Sequence, residues 1–219
     1  MNEIDFLNWV RGPAFQIATV IFTAGIIIRI AEILLLGRKG NLAEAKGSPM
    51  RSGLRTIVSR SIPEKGTFKR SSFTVVSGYI FHIGLFITIF FFAPHILMFK
   101  DVIGFGWPSL PTPIVDAVAV VSILTLLAVL AHRLSNTVLR YISTSEDYLV
   151  WFLTILPLVT GYIAFHRIGM TAPSLLAIHI LSVELLMILF PFTKFMHAFT
   201  VVMSRWYNGA ISGYRGVES

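Results

Sequence analysis

Cysteine is absent from the 219 residues. That removes disulfides, iron–sulfur clusters held by Cys thiolates, and covalently attached c-type haem, which needs C-x-x-C-H. Charge is scarce too. Asp, Glu, Lys and Arg make up 13% of the chain, about half the ~25% of a soluble domain. Acid is scarcer than base, 11 residues against 18. No internal repeat or low-complexity tract interrupts the sequence.

Apolar residues fill the space instead, at 55%. They gather in five long stretches, about 14–36, 73–99, 113–133, 148–166 and 174–199. A membrane-spanning helix needs about 20 such residues. The chain is therefore expected to be all-α, a multi-pass membrane protein built as a five-helix bundle in one domain, 1–219. The first stretch does not read as a signal peptide. It follows Glu3 and Asp5, exceeds an h-region in length and lacks an A-x-A site.

Orientation follows from the basic residues. Nine of the 18 lie in the 37–72 loop: Arg38, Lys39, Lys46, Arg51, Arg55, Arg60, Lys65, Lys69 and Arg70. Arg133, Arg140, Arg205 and Arg215 fall on the same side, and only Arg11, Lys100 and Arg167 on the other. The positive-inside rule puts the N-terminus outside and the C-terminus in the cytoplasm of a cell inner membrane. Trp9 and Trp107 then fall at the outer interface, Trp151 and Trp206 at the inner one. The pI near 10 thus reflects topology and gives no reason to expect nucleic acid. The basic loop reads either as a connector on the inner leaflet or as a docking surface for a cytoplasmic partner, because anionic lipid and acidic protein attract the same charges.

Polar imidazoles inside apolar helices need partners. His82 and His95 lie on span two, His179 and His197 on span five, one of each inner and one outer by depth. His132 and His166 end spans three and four. Two helices that each offer an inner and an outer histidine would clamp two stacked haems. His179 and His197 are 18 residues apart, five turns of a continuous helix, about 27 Å along one face. His82 and His95 are 13 apart, roughly 140° out of phase on a straight helix. Pro94 before His95 can break that helix and re-aim the ring. The alternative outer ligand is His166.

"FHIG" at Phe81–Gly84 and "FPFTKFMH" at Phe190–His197 resemble the gamma-subunit cytochrome b of respiratory nitrate reductases. That family carries Phe-His-Val-Gly on its second span and a Phe-Pro-Phe-Ser/Thr-Lys/Arg run before the last histidine. One spacing departs: the family's second histidine on span two falls at the place of Phe92 here. The spacing that ends at His95 is closer to the cytochromes b of sulfate- and sulfur-metabolism membrane redox complexes. The resemblance implies two b haems, the inner on His82 and His197, the outer on His95 and His179. It also implies exchange with a quinone pool, most simply menaquinone, and an iron–sulfur partner similar to heterodisulfide reductase among the subunits of a larger oxidoreductase.

Supporting residues carry two readings each. Gly84 and Gly161 give room to a porphyrin face or let helices pack closely. Arg29 and Lys194 suit inner-haem propionates; Arg29 also has Glu32 three residues on, and Lys194 can snorkel to the interface. Glu184 relays protons to a quinone or is a neutral acid bonded to a neighbouring helix. Lys100, Asp101, Tyr162 and His166 share the depth of an outer quinone site. The competing class is a cofactor-free anchor, or a transporter whose histidines take a metal ion or protons.

Overall fold

The computed structural model describes residues 2–36 and 42–217, and among them every regular element is helical. Five helices are long and apolar enough to cross a membrane: Glu3–Leu35, Lys65–Phe90, Thr112–Ser135, Ser145–His166 and Ala172–Phe192. Two compact units are delimited, residues 1–19 with 72–187, and residues 20–71 with 188–219.

The first unit opens with α1 (Glu3–Trp9). Its start is a reciprocal cap in which the Asp5 amide donates to Asn2 Oδ1 at 2.8 Å. A π turn, Val10–Ala14, carries Pro13 and joins α1 to α2 (Phe15–Leu35). The unit then holds most of α4 (Lys65–Phe90), α5 (Ala93–Ile103), α6 (Thr112–Ser135), α7 (Thr137–Ile142), α8 (Ser145–His166) and α9 (Ala172–Leu189). Leu126, Ile155 and Leu158 form its apolar centre, ringed by Phe81, Leu85, Ile123, Trp151 and Val159. Trp151 Nε1 donates to the Leu126 carbonyl at 2.8 Å and ties α8 to α6.

Burial runs against the pattern of a water-soluble bundle. Ser77, Thr88, Ser122, Thr154, Ser182 and Glu184 are buried, while Ile83, Phe86, Val121, Leu124 and Phe152 are exposed. Small and hydroxylated residues at helix contacts with large apolar ones outside are what a lipid solvent selects. The hydroxyls are satisfied locally: Ser122 donates to Val118 O and Thr154 to Val150 O, each at 2.8 Å.

Two expected spans are broken. The 73–99 stretch is two helices, because α4 ends at Phe90, Phe92 is extended (φ −83°, ψ 126°) and α5 restarts at Ala93 with Pro94 in its first turn. The 174–199 stretch also stops early. α9 ends at Leu189, two 3₁₀ turns (Phe190–Phe192 and Lys194–Met196) follow, and α10 (His197–Tyr214) begins at His197 itself. Thr193 between the turns is extended (φ −128°, ψ 177°). His179 and His197 therefore lie on different helices, and the expectation of one five-turn face is corrected. Pro191 is the cause, since it offers no amide to the preceding turn.

In the second unit that break rests on α2. A Cβ on Gly25 would lie 2.5 Å from the Pro191 ring, so glycine is what admits it. Phe22 meets Phe190 edge-on at 5.3 Å, and Arg29 Nε donates to the Pro191 carbonyl at 3.2 Å. The rest of the unit is α3 (Pro49–Ser59) lying along α10. Cβ atoms on Gly209 and Gly213 would collide with Thr56 and Ser52, and one on Gly53 would lie 2.7 Å from Trp206. Gly209-Ala-Ile-Ser-Gly213 is a G-x-x-x-G stripe, which brings helix backbones close.

Candidate paired-imidazole site

His95 and His179 come together in the first unit. Their ring centroids are 6.2 Å apart and their planes 19° from parallel. Metal–imidazole bonds are about 2 Å long, so two rings on opposite sides of one ion have centroids about 6 Å apart. The pair has that separation.

Both rings are held by Nδ1. The break after Phe90 takes the helical amide away from the Thr88 carbonyl, and His95 Nδ1 lies 2.8 Å from that oxygen. His179 Nδ1 lies 3.3 Å from Thr160 Oγ1 on α8. Thr160 Oγ1 is 2.9 Å from Ser182 Oγ, and Ser182 donates to the His179 carbonyl at 2.6 Å. With Nδ1 protonated the His179 ring donates to Thr160 Oγ1, Ser182 donates back to the His179 backbone, and Ser182 Oγ is one acceptor for the threonine proton. The Leu156 carbonyl, 2.8 Å from Thr160 Oγ1, is the other acceptor for the threonine proton. Nδ1–H bonds of this kind fix the tautomer and leave Nε2 as the nitrogen a ring offers to a metal.

Packing sets the aim of each ring. A Cβ on Gly161 would lie 2.9 Å from His179 Cε1, so this glycine makes room for the imidazole. Phe92 stands edge-on to His95 at 5.3 Å, and Phe165 edge-on to Phe92 at 5.3 Å. Pro94 removes the amide that the Phe90 carbonyl would have used; Trp107 Nε1 donates to that carbonyl instead. The next carbonyl, of Phe91, accepts from Leu110 N at 3.0 Å. The α5–α6 loop thus stitches the break that positions His95.

The other sequence candidates lie as follows. His166 does not join the pair; its Nε2 is 2.8 Å from Asp116 Oδ1, and the Tyr162 ring lies 4.4 Å from its own. Lys100 is exposed on α5, and no hydrogen bond or ion pair joins it to Tyr162 or His166 among the described residues. Ser122 Oγ sits in close contact with the place a Gly84 Cβ would take, so this glycine serves the approach of α4 and α6. Glu184 is 4% exposed, with no hydrogen-bond partner for Oε1 among the described residues. Arg29 pairs with Glu32 at 3.0 Å besides holding Pro191. His82 Nδ1 lies 2.7 Å from Gly78 O in the first unit; His197 Nδ1 lies 2.6 Å from Lys194 O in the second. No group of three or more His, Cys, Asp or Glu forms among the described residues.

Nothing in the sequence marks Thr88, Thr160 or Ser182, and Trp107 reads there only as an interfacial residue, without its bond to the Phe90 carbonyl. Phe90, four residues before Pro94, was the available signal for Trp107, since its carbonyl had to find another donor. Nothing in the sequence pairs Thr160 with His179.

These features define a class: an all-helical chain with five potential membrane spans and a pair of neighbouring, near-parallel imidazoles, each with Nδ1 beside an oxygen, on helices of the first unit. A protein of Nitratidesulfovibrio vulgaris (strain Hildenborough) is 28% identical over 207 residues, 90% of this chain and 89% of its own, and is described only as a protein. No family model and no solved structure matches the chain.

Proposed function

We propose that this chain is the dihaem b membrane subunit of a respiratory redox complex in a cell inner membrane. It moves electrons between a quinone pool, menaquinone by resemblance, and partner iron–sulfur and catalytic subunits. The observation that carries the reading is the His95–His179 pair, with a 6.2 Å centroid separation and near-parallel rings. That geometry fits two neutral imidazoles on one iron, and imidazole is a suitable ligand for iron. Haem bound there would supply one-electron chemistry.

The chain's own residues do the rest. His95 and His179 would hold the iron, Thr88 and Thr160 keep their rings protonated on Nδ1, and the apolar helices exclude water. The inner pair, His82 and His197, enters from the resemblance and from depth along the spans. Glu184, five residues along α9 from His179 or about 7.5 Å of rise, is the group suited to carry a proton for a quinone. The N-terminus lies outside and the C-terminus in the cytoplasm, facing the iron–sulfur partner.

Purified protein is expected to be red, with a b-type reduced spectrum and two haem equivalents. His95→Ala and His179→Ala should each lose one equivalent and keep the other; His166→Ala should keep both. Colourless protein, or loss in His166→Ala with retention in His95→Ala, overturns the assignment.

A further inference from the structure

The 37–72 connector contains a helix with three distinct faces. Ser52, Gly53 and Thr56 of α3 turn to α10. Met50, Leu54 and Val58, four residues apart, form an exposed apolar stripe that continues to Ile62 beyond the helix end. Arg51 and Arg55 follow around the helix. Where α3 ends, a cleft of about 540 Å³ opens against α10, lined by Thr56, Arg60, Arg205, Asn208, Ile211 and Ser212. Arg205 is fixed by donating to Ser61 Oγ at 2.7 Å. Neither Arg60 nor Arg205 pairs with a carboxylate among the described residues.

We infer that α3 lies in the headgroup layer of the membrane and that the Arg60–Arg205 cleft binds the phosphate of an anionic phospholipid. Two guanidiniums in one cleft repel until an anion joins them, and their planar forks suit phosphate oxygens. Asn208 and Ser212 add neutral hydrogen-bonding groups. The apolar stripe identifies the source of the phosphate. A helix with one basic face and one bare apolar face is built to enter the boundary between headgroups and acyl chains. An acidic soluble partner would satisfy the arginines and leave Met50, Leu54 and Val58 in water. The chain delivers α3 to that depth, because α4, a candidate span, begins at Lys65, six residues after α3 ends at Ser59.

The absence of cysteine makes the test direct. Nitroxide is attached to Leu54→Cys or, on the polar side, to Ser59→Cys. The full chain is reconstituted in vesicles of phosphatidylcholine with phosphatidylglycerol. The label at position 54 should be reached by dissolved oxygen and shielded from a water-soluble nickel chelate, with the order reversed at position 59. Native mass spectrometry of the detergent-solubilised chain should retain a phosphatidylglycerol adduct that the Arg60→Gln, Arg205→Gln double variant loses. Leu54 labelling in that variant should still report lipid contact, which separates loss of the site from loss of the helix. A position-54 label open to nickel in vesicles, or one shielded only when partner subunits are added, overturns the proposal. So does an adduct displaced by inorganic phosphate, which would make the cleft a free-phosphate site.

Discussion

The Thr160 hydroxyl separates holding an imidazole from merely packing against it. It lies 3.3 Å from His179 Nδ1 and 2.9 Å from Ser182 Oγ. Thr160→Val keeps the shape and removes the acceptor. Outer partners of ligating histidines typically contribute about 10–100-fold in metal affinity. The variant should therefore lose haem to an excess of apomyoglobin faster by a factor of that order. The potential of one haem should also rise, because an imidazole without its acceptor donates less charge to oxidised iron. Thr160→Ser should restore both. Gly161→Ala is the harsher change: its methyl would lie 2.9 Å from His179 Cε1, so the ring must move and one haem equivalent should be missing from the pyridine haemochrome spectrum.

At the scale of the element, two prolines decide what the apolar patterns alone leave open. Pro94→Ala restores an amide and lets α4 run toward α5, carrying His95 about 140° off the face of His82. The expected product is a folded chain of undiminished helicity by circular dichroism that lacks the same haem as His95→Ala. The Pro94 break was legible, because proline before a histidine with the wrong phase asks for one. Pro191 has no such mismatch to mark it, since the 18-residue spacing of His179 and His197 already suits an unbroken helix. The G-x-x-x-G stripe of α10 was also in plain sight but lies beyond the last apolar stretch. Gly209→Leu should push α3 off α10, and overpacking of this kind costs about 1–3 kcal/mol. It should appear as earlier proteolysis within 49–59 and a lower melting temperature in detergent.

For the whole molecule the spans were readable because lipid imposes a length and a composition on every crossing helix. Which side chains meet was readable only where a break or a phase forced it. Thr160 with His179, and Asp116 with His166, join residues 19 and 50 positions apart, and only packing of separate helices brings them together. Five crossings, as proposed, put the termini on opposite sides. A C-terminal green fluorescent protein fusion should glow and a C-terminal alkaline phosphatase fusion stay inactive; the same reporters placed before Glu3 should give the reverse. Neutralising the basic residues of the 37–72 segment should lower that contrast, measured as the ratio of the two activities.

The stitch across the α4–α5 break has a consequence in time. Trp107 is made 17 residues after Phe90, about 1–3 s later at the usual pace of translation. Until then the Phe90 and Phe91 carbonyls lack the donors they have in the finished fold, and an unsatisfied backbone group in hydrocarbon costs several kcal/mol. A chain that stops before Trp107 leaves both carbonyls without those donors, so its α5 should sit differently from α5 of the whole protein. His95 thus receives its aim from a segment born after it. The His95–His179 pair is itself complete only once α9 has been made.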